Sequence, residues 1–157
     1  MCQRFYALDW LSKQDVPRDN YELIWVECYD QVVPEALEKA DVVITCGQKG
    51  SYSKHNGLNI AYLRARGKIV TNCDSDAVFP PNFIYSIINS FDPDKSGNLK
   101  PIVLMHDEFR INKVEYPDGV SSIDEIKKYQ WLPLWKNAGA CTSFRKEDVI
   151  RFGGWDE

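Results

Sequence analysis

The chain has 157 residues, of which 44% are hydrophobic and 27% charged, a composition that suits one globular domain with its own core. Its 19 basic and 23 acidic residues give a net charge of -4 without any basic stripe, which argues against a dedicated nucleic-acid-binding domain. The five cysteines are widely spaced and form no CxxC pair, so reduced thiols are expected rather than a zinc site.

The sequence shows no targeting or membrane-spanning pattern. Its first residues lack the basic-then-apolar order of a signal peptide, and no apolar run approaches the length that spans a bilayer. Together with reduced thiols, this favours the cytoplasm. Association with the inner face of a membrane, through another segment or another protein, stays open.

Hydrophobic periodicity and the punctuation by proline and glycine predict helices that alternate with strands. In chain order these are a helix at 4–14, a strand at 21–28, a helix at 34–40, a strand at 41–46, a helix at 53–66, a strand at 68–73, a helix at 82–91, a strand at 101–106, a helix at 123–130, a strand at 138–144 and a helix at 146–152. Gly67 is expected to end a helix with a positive φ. Alternating strands and helices imply parallel pairing with right-handed crossovers. The expected fold is therefore a single α/β domain with a mostly parallel central sheet flanked by helices.

The strand at 68–73 is followed by Asp74-Ser75-Asp76, in which one small residue separates two carboxylates. In open α/β sheets, ligands bind at the carboxyl ends of the strands. Two carboxylates there, with no basic residue beside them in the sequence, offer hard oxygen ligands to a divalent cation. Such a cation can hold a diphosphate and stabilise it as it leaves. The alternative is an ordinary turn, because Asp often accepts hydrogen bonds from the backbone that follows it.

Residues 68–84, KIVTNCDSDAVFPPNFI, resemble the central signature of family 2 glycosyltransferases of the GT-A type, in which a strand delivers a DxD motif and a proline-containing helix start follows. Residues 44–67 resemble the segment that precedes this signature, with Asn59 at the family's spacing. Residues 137–145 and 152–157 resemble the acceptor-side block, which ends in a Gly-Gly-aromatic-Asp-Glu turn. The resemblance implies the Rossmann-like GT-A fold. It also implies transfer of a sugar, with inversion, from a nucleoside diphosphate sugar to an acceptor hydroxyl.

The resemblance further implies a set of site residues and partners. The donor would be a UDP-sugar in most members of the family, and the acceptor would be a saccharide, a lipid-linked group or a protein. Homo-oligomerisation stays open. The implied residues are Asp76 and Asp74 for Mn²⁺ or Mg²⁺, Glu27, Asp30, Asn59 and Asp74 for the nucleotide, and Asp156 or Glu157 for the catalytic base.

Each of these roles has a structural alternative. Glu27 and Asp30 also fit solvated strand ends. The helix that bears Asn59 also fits one that only packs on the sheet, since the Arg that often precedes this Asn in the family is Leu58 here. His106 ends a predicted strand, and a role near the metal or the acceptor stays open.

The resemblance also implies that the family's first strand would precede Cys2 and that its further Glu-Asp pair would follow Glu157. The chain thus resembles a GT-A domain clipped at both ends, and a sheet without its first strand would expose an edge and lose stability. Two other functions stay open. One is that of a sugar nucleotidyltransferase, although residues 1–30 contain no Gly-rich phosphate loop. The other is that of a non-catalytic GT-A fragment.

Overall fold

The structure is a computed structural model that describes residues 5–51, 53–92, 103–108, 122–129 and 141–155, together with the backbone of 135–136. The helices are α1 Tyr6–Leu11, α2 Pro34–Lys39, α3 Lys54–Arg64, α4 Phe83–Phe91, α5 Ile123–Lys127 and α6 Lys146–Arg151. The strands are β1 Ile24–Glu27, β2 Val42–Thr45, β3 Ile69–Cys73, β4 Val103–Met105, β5 Asp107–Glu108, β6 Trp135–Lys136 and β7 Cys141–Arg145.

Every predicted helix and strand has a counterpart in the structure. The predicted ends at residues 4, 101, 130 and 138 lie outside the described residues, and the other ends differ by three residues or fewer. The predicted positive φ of Gly67 is wrong, because Gly67 is not among the glycines with positive φ. Helix α3 ends earlier than predicted, since Ala65 turns the backbone to φ -57 and ψ 137. The N–H of Gly67 instead donates to Glu22 Oε1 at 3.2 Å.

The strand pairings are partly those expected. Strands β1 and β2 pair in parallel, as the alternation of strands and helices predicts. Strand β7 pairs antiparallel with both β3 and β4 and lies between them, so β3 and β4 run parallel to each other without pairing directly. The short strands β5 and β6 form a further antiparallel pair that the sequence did not predict. The α/β class is confirmed, but the ladders that contain β7 are antiparallel.

Helix α3 shows how β1 and β3 are oriented. Its C-terminal end lies at the start of β1, where the N–H of Arg66 donates to Glu22 Oε1 at 2.5 Å. Its N-terminal part lies at the other end, where Gly57 packs against Val26 of β1 and Lys54 contacts Asp74 beyond β3. Strands β1 and β3 therefore both run opposite to α3. The carboxyl ends of β1, β2 and β3 meet at one edge of the fold.

Helices cover both faces of the β3–β7–β4 sheet. On one face, α4 buries Phe83, Ile87 and Phe91, which are spaced by four residues and so share one side of the helix. They pack with Cys141 of β7 and with Ala7 of α1. The opposite face holds a second cluster formed mainly by α3, β3, β7 and α6, whose members are Tyr62, Ala65, Val70, Ile24, Leu58, Phe144, Val149 and Trp155. Among the helices of the described ranges, none is long and apolar enough to cross a membrane.

Candidate active site

The Asp74-Ser75-Asp76 motif forms a tight turn directly after β3. The carbonyl oxygen of Asp74 accepts a hydrogen bond from the N–H of Ala77 at 3.2 Å, and that of Ser75 accepts one from the N–H of Ala7 at 3.1 Å. The turn is thus fixed both within itself and by the first turn of α1. Asp74 and Asp76 are both half-buried.

A lysine lies beside this motif, which the sequence alone did not indicate. Lys54 Nζ of α3 contacts Asp74 Oδ1 at 2.5 Å. The expectation that no basic residue adjoins the two carboxylates holds for neighbours in the sequence and is wrong for neighbours in space. The side chain of Asp74 keeps 40% of its surface exposed, so the ion pair does not seal the carboxylate from a ligand.

The donor set suits a metal ion that a nucleotide helps to bind. Within the residues that the structure describes, no group of three or more His, Cys, Asp or Glu side chains is arranged to hold a metal. Asp74 and Asp76 therefore offer two carboxylates instead of a complete protein cage. Mg²⁺ is commonly bound in this way, by one or two carboxylates plus the phosphates of a substrate and water. The two residues fit such an ion if the remaining ligands come from a diphosphate.

The two acidic residues predicted to contact the nucleotide lie at the same edge, where Glu27 ends β1 and Asp30 follows it. Glu27 Oε1 accepts a hydrogen bond from the N–H of Tyr29 at 3.1 Å. Asp30 is exposed and lies close to Gly47 of the loop after β2, since a Cβ on that glycine would be 3.4 Å from Asp30 Oδ1. Burial and the nearby charge of Glu27 raise the pKa of the Cys46 thiol. The edge formed by the carboxyl ends of the strands thus carries negative charge next to the loop between β2 and α3, which contains Gly47.

Asn59 makes two hydrogen bonds with the backbone of Trp155. Its Nδ2 donates to the carbonyl oxygen of Trp155 at 3.0 Å, and its Oδ1 accepts from the N–H of the same residue at 2.9 Å. The predicted contact of Asn59 with the nucleotide stays a prediction. Asn59 positions the segment that resembles the acceptor-side block.

The indole of Trp155 is held by a row of side chains on α3. Its Nε1 donates to Tyr62 Oη at 2.7 Å, and its ring stacks on His55 with the ring centroids 6.2 Å apart. His55, Asn59 and Tyr62 follow one another at helical spacing, so one side of α3 carries all three contacts. The ring of Phe144 makes an edge contact with Trp155, with the ring centroids 5.8 Å apart.

Two glycines bring the chain to Trp155. Gly153 and Gly154 adopt φ values of 87° and 82°, which side chains rarely tolerate. A Cβ on Gly154 would lie 2.4 Å from Asn59 Oδ1, so the close approach to α3 also requires glycine. The predicted catalytic bases Asp156 and Glu157 follow directly and lie outside the described residues.

His106 directly follows β4 and contacts Ser143 of β7 and Phe83 of α4. Its Nε2 is 2.9 Å from Ser143 Oγ, which in turn is 2.8 Å from Thr71 Oγ1. Its ring packs on Phe83 of α4 at 5.0 Å. Burial lowers the pKa of His106. A role of His106 near the metal or the acceptor stays a prediction.

Four of the cysteines lie in the described residues, and all four are free thiols. Cys73 and Cys141 are directly opposite each other in the β3–β7 ladder, with their Sγ atoms 3.4 Å apart. The hydrogen bond with Cys73, together with burial, raises the pKa of Cys141. This pair fills the core immediately beneath Asp74.

Helix α3 connects the two predicted halves of the site. Its first residue contacts the Asp74 carboxylate, and its next two turns hold Trp155. Sequence reasoning missed Lys54 because the contact joins residues 20 positions apart. One signal could have found it, since a helix that begins at the carboxyl edge of a sheet presents its first side chains to whatever that edge binds.

The family model for glycosyl transferase family 2 matches residues 8–151, a span that includes β1 to β7, α3 and the Asp74-Ser75-Asp76 turn. Comparisons with curated proteins and with solved structures found no match. The matched span is most of the chain, and the α/β layers and the edge of strand ends described above agree with the GT-A fold of that family. The chain therefore belongs to glycosyl transferase family 2.

Proposed function

We propose that the chain transfers a sugar from a nucleoside diphosphate sugar, a UDP-sugar for preference, to an acceptor hydroxyl with inversion at the anomeric carbon. Family membership supports glycosyl transfer as the general activity. The observation that carries the finer proposal is the pair of half-buried carboxylates, Asp74 and Asp76, fixed at the carboxyl end of β3.

Asp76 and Asp74 would hold Mn²⁺ or Mg²⁺, and the bound ion would neutralise charge on the departing diphosphate. Glu27 and Asp30 would contact the nucleoside. Their support is that Glu27 ends β1 and Asp30 follows it, at the edge where the Asp74 turn also lies. The acidic edge would repel a free diphosphate, which makes a cation beside it necessary for binding. The four free thiols fit a cytoplasmic location, which belongs to the proposal.

The acceptor side of the proposal rests on Trp155. Its ring contacts His55 and Phe144 and is only half-buried, and the part that stays exposed would pack against a sugar. Asp156 or Glu157, which follow it, would accept the proton of the attacking hydroxyl. Asn59 acts through Trp155 as a positioning residue.

The test is whether UDP binding depends on a divalent ion and on Asp76. Quenching of tryptophan fluorescence by UDP is expected with Mn²⁺ and not without it, and Asp76→Asn is expected to abolish the quenching while the fold is kept. Asp124→Asn is the matched control, since the Asp124 side chain is 92% exposed on α5. UDP binding that needs no Mn²⁺, or that is retained in Asp76→Asn, would mean that the Asp74-Ser75-Asp76 motif is only a structural turn. Release of UDP from a UDP-sugar upon addition of an acceptor then separates a transferase from a binding domain.

A further inference from the structure

Lys54 and Asp74 form an ion pair across the candidate site. Lys54 is the first residue of α3, and its Nζ lies 2.5 Å from Asp74 Oδ1. Both side chains are partly exposed, Lys54 by 33% and Asp74 by 40%. The pair therefore lies at the surface of the site and is accessible to a ligand.

An ion pair with this exposure is weak. Partly exposed Lys-carboxylate pairs stabilise proteins only slightly, because water screens the attraction and the lysine side chain loses freedom. A divalent cation bound through Asp74 would place its charge beside the ammonium of Lys54. The two positive charges repel each other, so the metal and Lys54 compete for the same carboxylate.

Once displaced, Lys54 has no carboxylate on its own helical turn to replace Asp74, because the first turn of α3 contains no acidic residue. The chemical group that would enter the site together with the metal is a diphosphate, which carries several negative charges. A lysine ammonium binds phosphate as a compact charge with three hydrogen-bond donors. The displaced side chain is attached close enough to follow, since it already reaches the Asp74 side chain.

We propose that Lys54 exchanges partners during binding, leaving Asp74 when the metal and the nucleotide enter and then binding the diphosphate. This proposal rests on the function proposed above and adds a residue to the same site. Without nucleotide, Lys54 neutralises Asp74 and weakens metal binding; with nucleotide, it contributes to the affinity for the diphosphate.

The exchange gives Lys54→Gln two effects of opposite sign. Binding of Mn²⁺ alone, followed by electron paramagnetic resonance of the free ion, is expected to strengthen a few-fold, because a competing cation is removed. Affinity for UDP at saturating Mn²⁺, measured by calorimetric titration, is expected to fall about ten-fold or more, because a charge-assisted hydrogen bond is lost. Lys54→Arg, which keeps the charge, is expected to retain most of the UDP affinity.

The matched control is Lys39→Gln, since Lys39 also forms an ion pair with an aspartate, Asp9, in a contact between α2 and α1. Both affinities are expected to stay unchanged in this variant. A UDP affinity that is equal in Lys54→Gln and the parent chain would overturn the proposal. So would a parallel loss of Mn²⁺ and UDP binding, which would make Lys54 a support for the fold of the site.

The outcome for Asp76→Asn separates this proposal from the function on which it rests. Loss of UDP binding in Asp76→Asn, with normal UDP binding in Lys54→Gln, overturns the exchange and leaves the transferase proposal standing. Absence of Mn²⁺-dependent UDP binding in the parent chain overturns both.

Discussion

The side-chain amide of Asn59 on α3 pairs with the backbone of Trp155 through two hydrogen bonds, one donated at 3.0 Å and one accepted at 2.9 Å. A side-chain amide carries both a donor and an acceptor, so it can donate to and accept from the backbone of the same residue. The contact joins residues 96 positions apart and places Trp155 against the helix whose first residue contacts Asp74.

Replacement of Asn59 by Ala is expected to lower the free energy of unfolding by about 1–3 kcal/mol, because two partly buried hydrogen bonds are lost together. Urea unfolding measures the change. Asn56→Ala is the matched control, since Asn56 lies on the same helix and is exposed. Equal stability of the two variants would show that the pairing with Trp155 contributes nothing.

Gly154→Ala is expected to be more destabilising than Gly153→Ala. Both positions have a positive φ, so alanine is strained at each of them by about 1–2 kcal/mol. Only at Gly154 does the new Cβ also meet Asn59, at 2.4 Å from Oδ1, whereas nothing lies within 4 Å at Gly153. In the Asn59→Ala background the difference between the two glycine variants should disappear. A difference that persists in urea unfolding would exclude the steric cause.

Glu22→Ala is expected to destabilise the chain by about 1–3 kcal/mol, because the Glu22 carboxylate satisfies two backbone N–H groups beyond α3, those of Arg66 and Gly67. Burial raises the pKa of Glu22, but the hydrogen bonds from Arg66 and Gly67 outweigh it and hold the pKa below its ordinary value. The stabilisation is therefore present above the unfolded-state pKa of about 4.3 and is lost as the pH falls through the folded-state value.

The exposed Glu38 on α2 provides the control, and Glu38→Ala should leave stability within about 0.5 kcal/mol of the parent. Urea unfolding at pH 7 and at acidic pH separates the two variants. The difference in the free energy of unfolding between Glu22→Ala and the parent should become smaller at acidic pH. A gap that is independent of pH would mean that packing, not the ionised carboxylate, is responsible.

Stability is expected to fall as the pH is lowered through about 6.5, the ordinary pKa of histidine, because of His106. Burial lowers the pKa of His106 in the folded chain, so between that value and the ordinary one the unfolded chain binds a proton that the folded chain does not. The free energy of unfolding therefore decreases toward acid and levels off below the folded-state pKa. Unfolding by urea at a series of pH values measures this slope.

His106→Asn is expected to remove that slope while the amide retains a partner in Ser143, which lies 2.9 Å from the imidazole in the parent. The control variant His55→Asn is expected to show the same slope of stability against pH as the parent. An unchanged slope in His106→Asn would mean that other groups produce the dependence on pH.

The local part of the fold could be predicted because it depends on neighbours in the sequence. The alternation of buried and half-buried residues in β3 and the spacing of Phe83, Ile87 and Phe91 in α4 both repeat within a few residues, and both elements were predicted. Gly67 was misjudged because the end of α3 is set by Glu22, a residue 45 positions away.

The sequence predicted which residues form the candidate site but not which residues they contact. The position of Asp74 and Asp76 at a strand end follows from the strand itself, since Asp74 comes directly after β3. The lysine beside Asp74 and the pairing of Asn59 with Trp155 depend on how α3 packs, and no short-range pattern records that packing. The antiparallel pairing of β7 with β3 likewise depends on contacts between residues far apart in the sequence.

The middle strand of the β3–β7–β4 sheet, β7, comes after both of its partners in the sequence. During synthesis, β3 and β4 leave the ribosome before residues 141–145, so neither has β7 as its ladder partner until those residues have been made. Pairings between residues so far apart in sequence form slowly, and the part of the apolar side of α4 that packs on Cys141 stays uncovered in the meantime. Nascent chains that have not yet received β7 therefore expose apolar surface that favours aggregation.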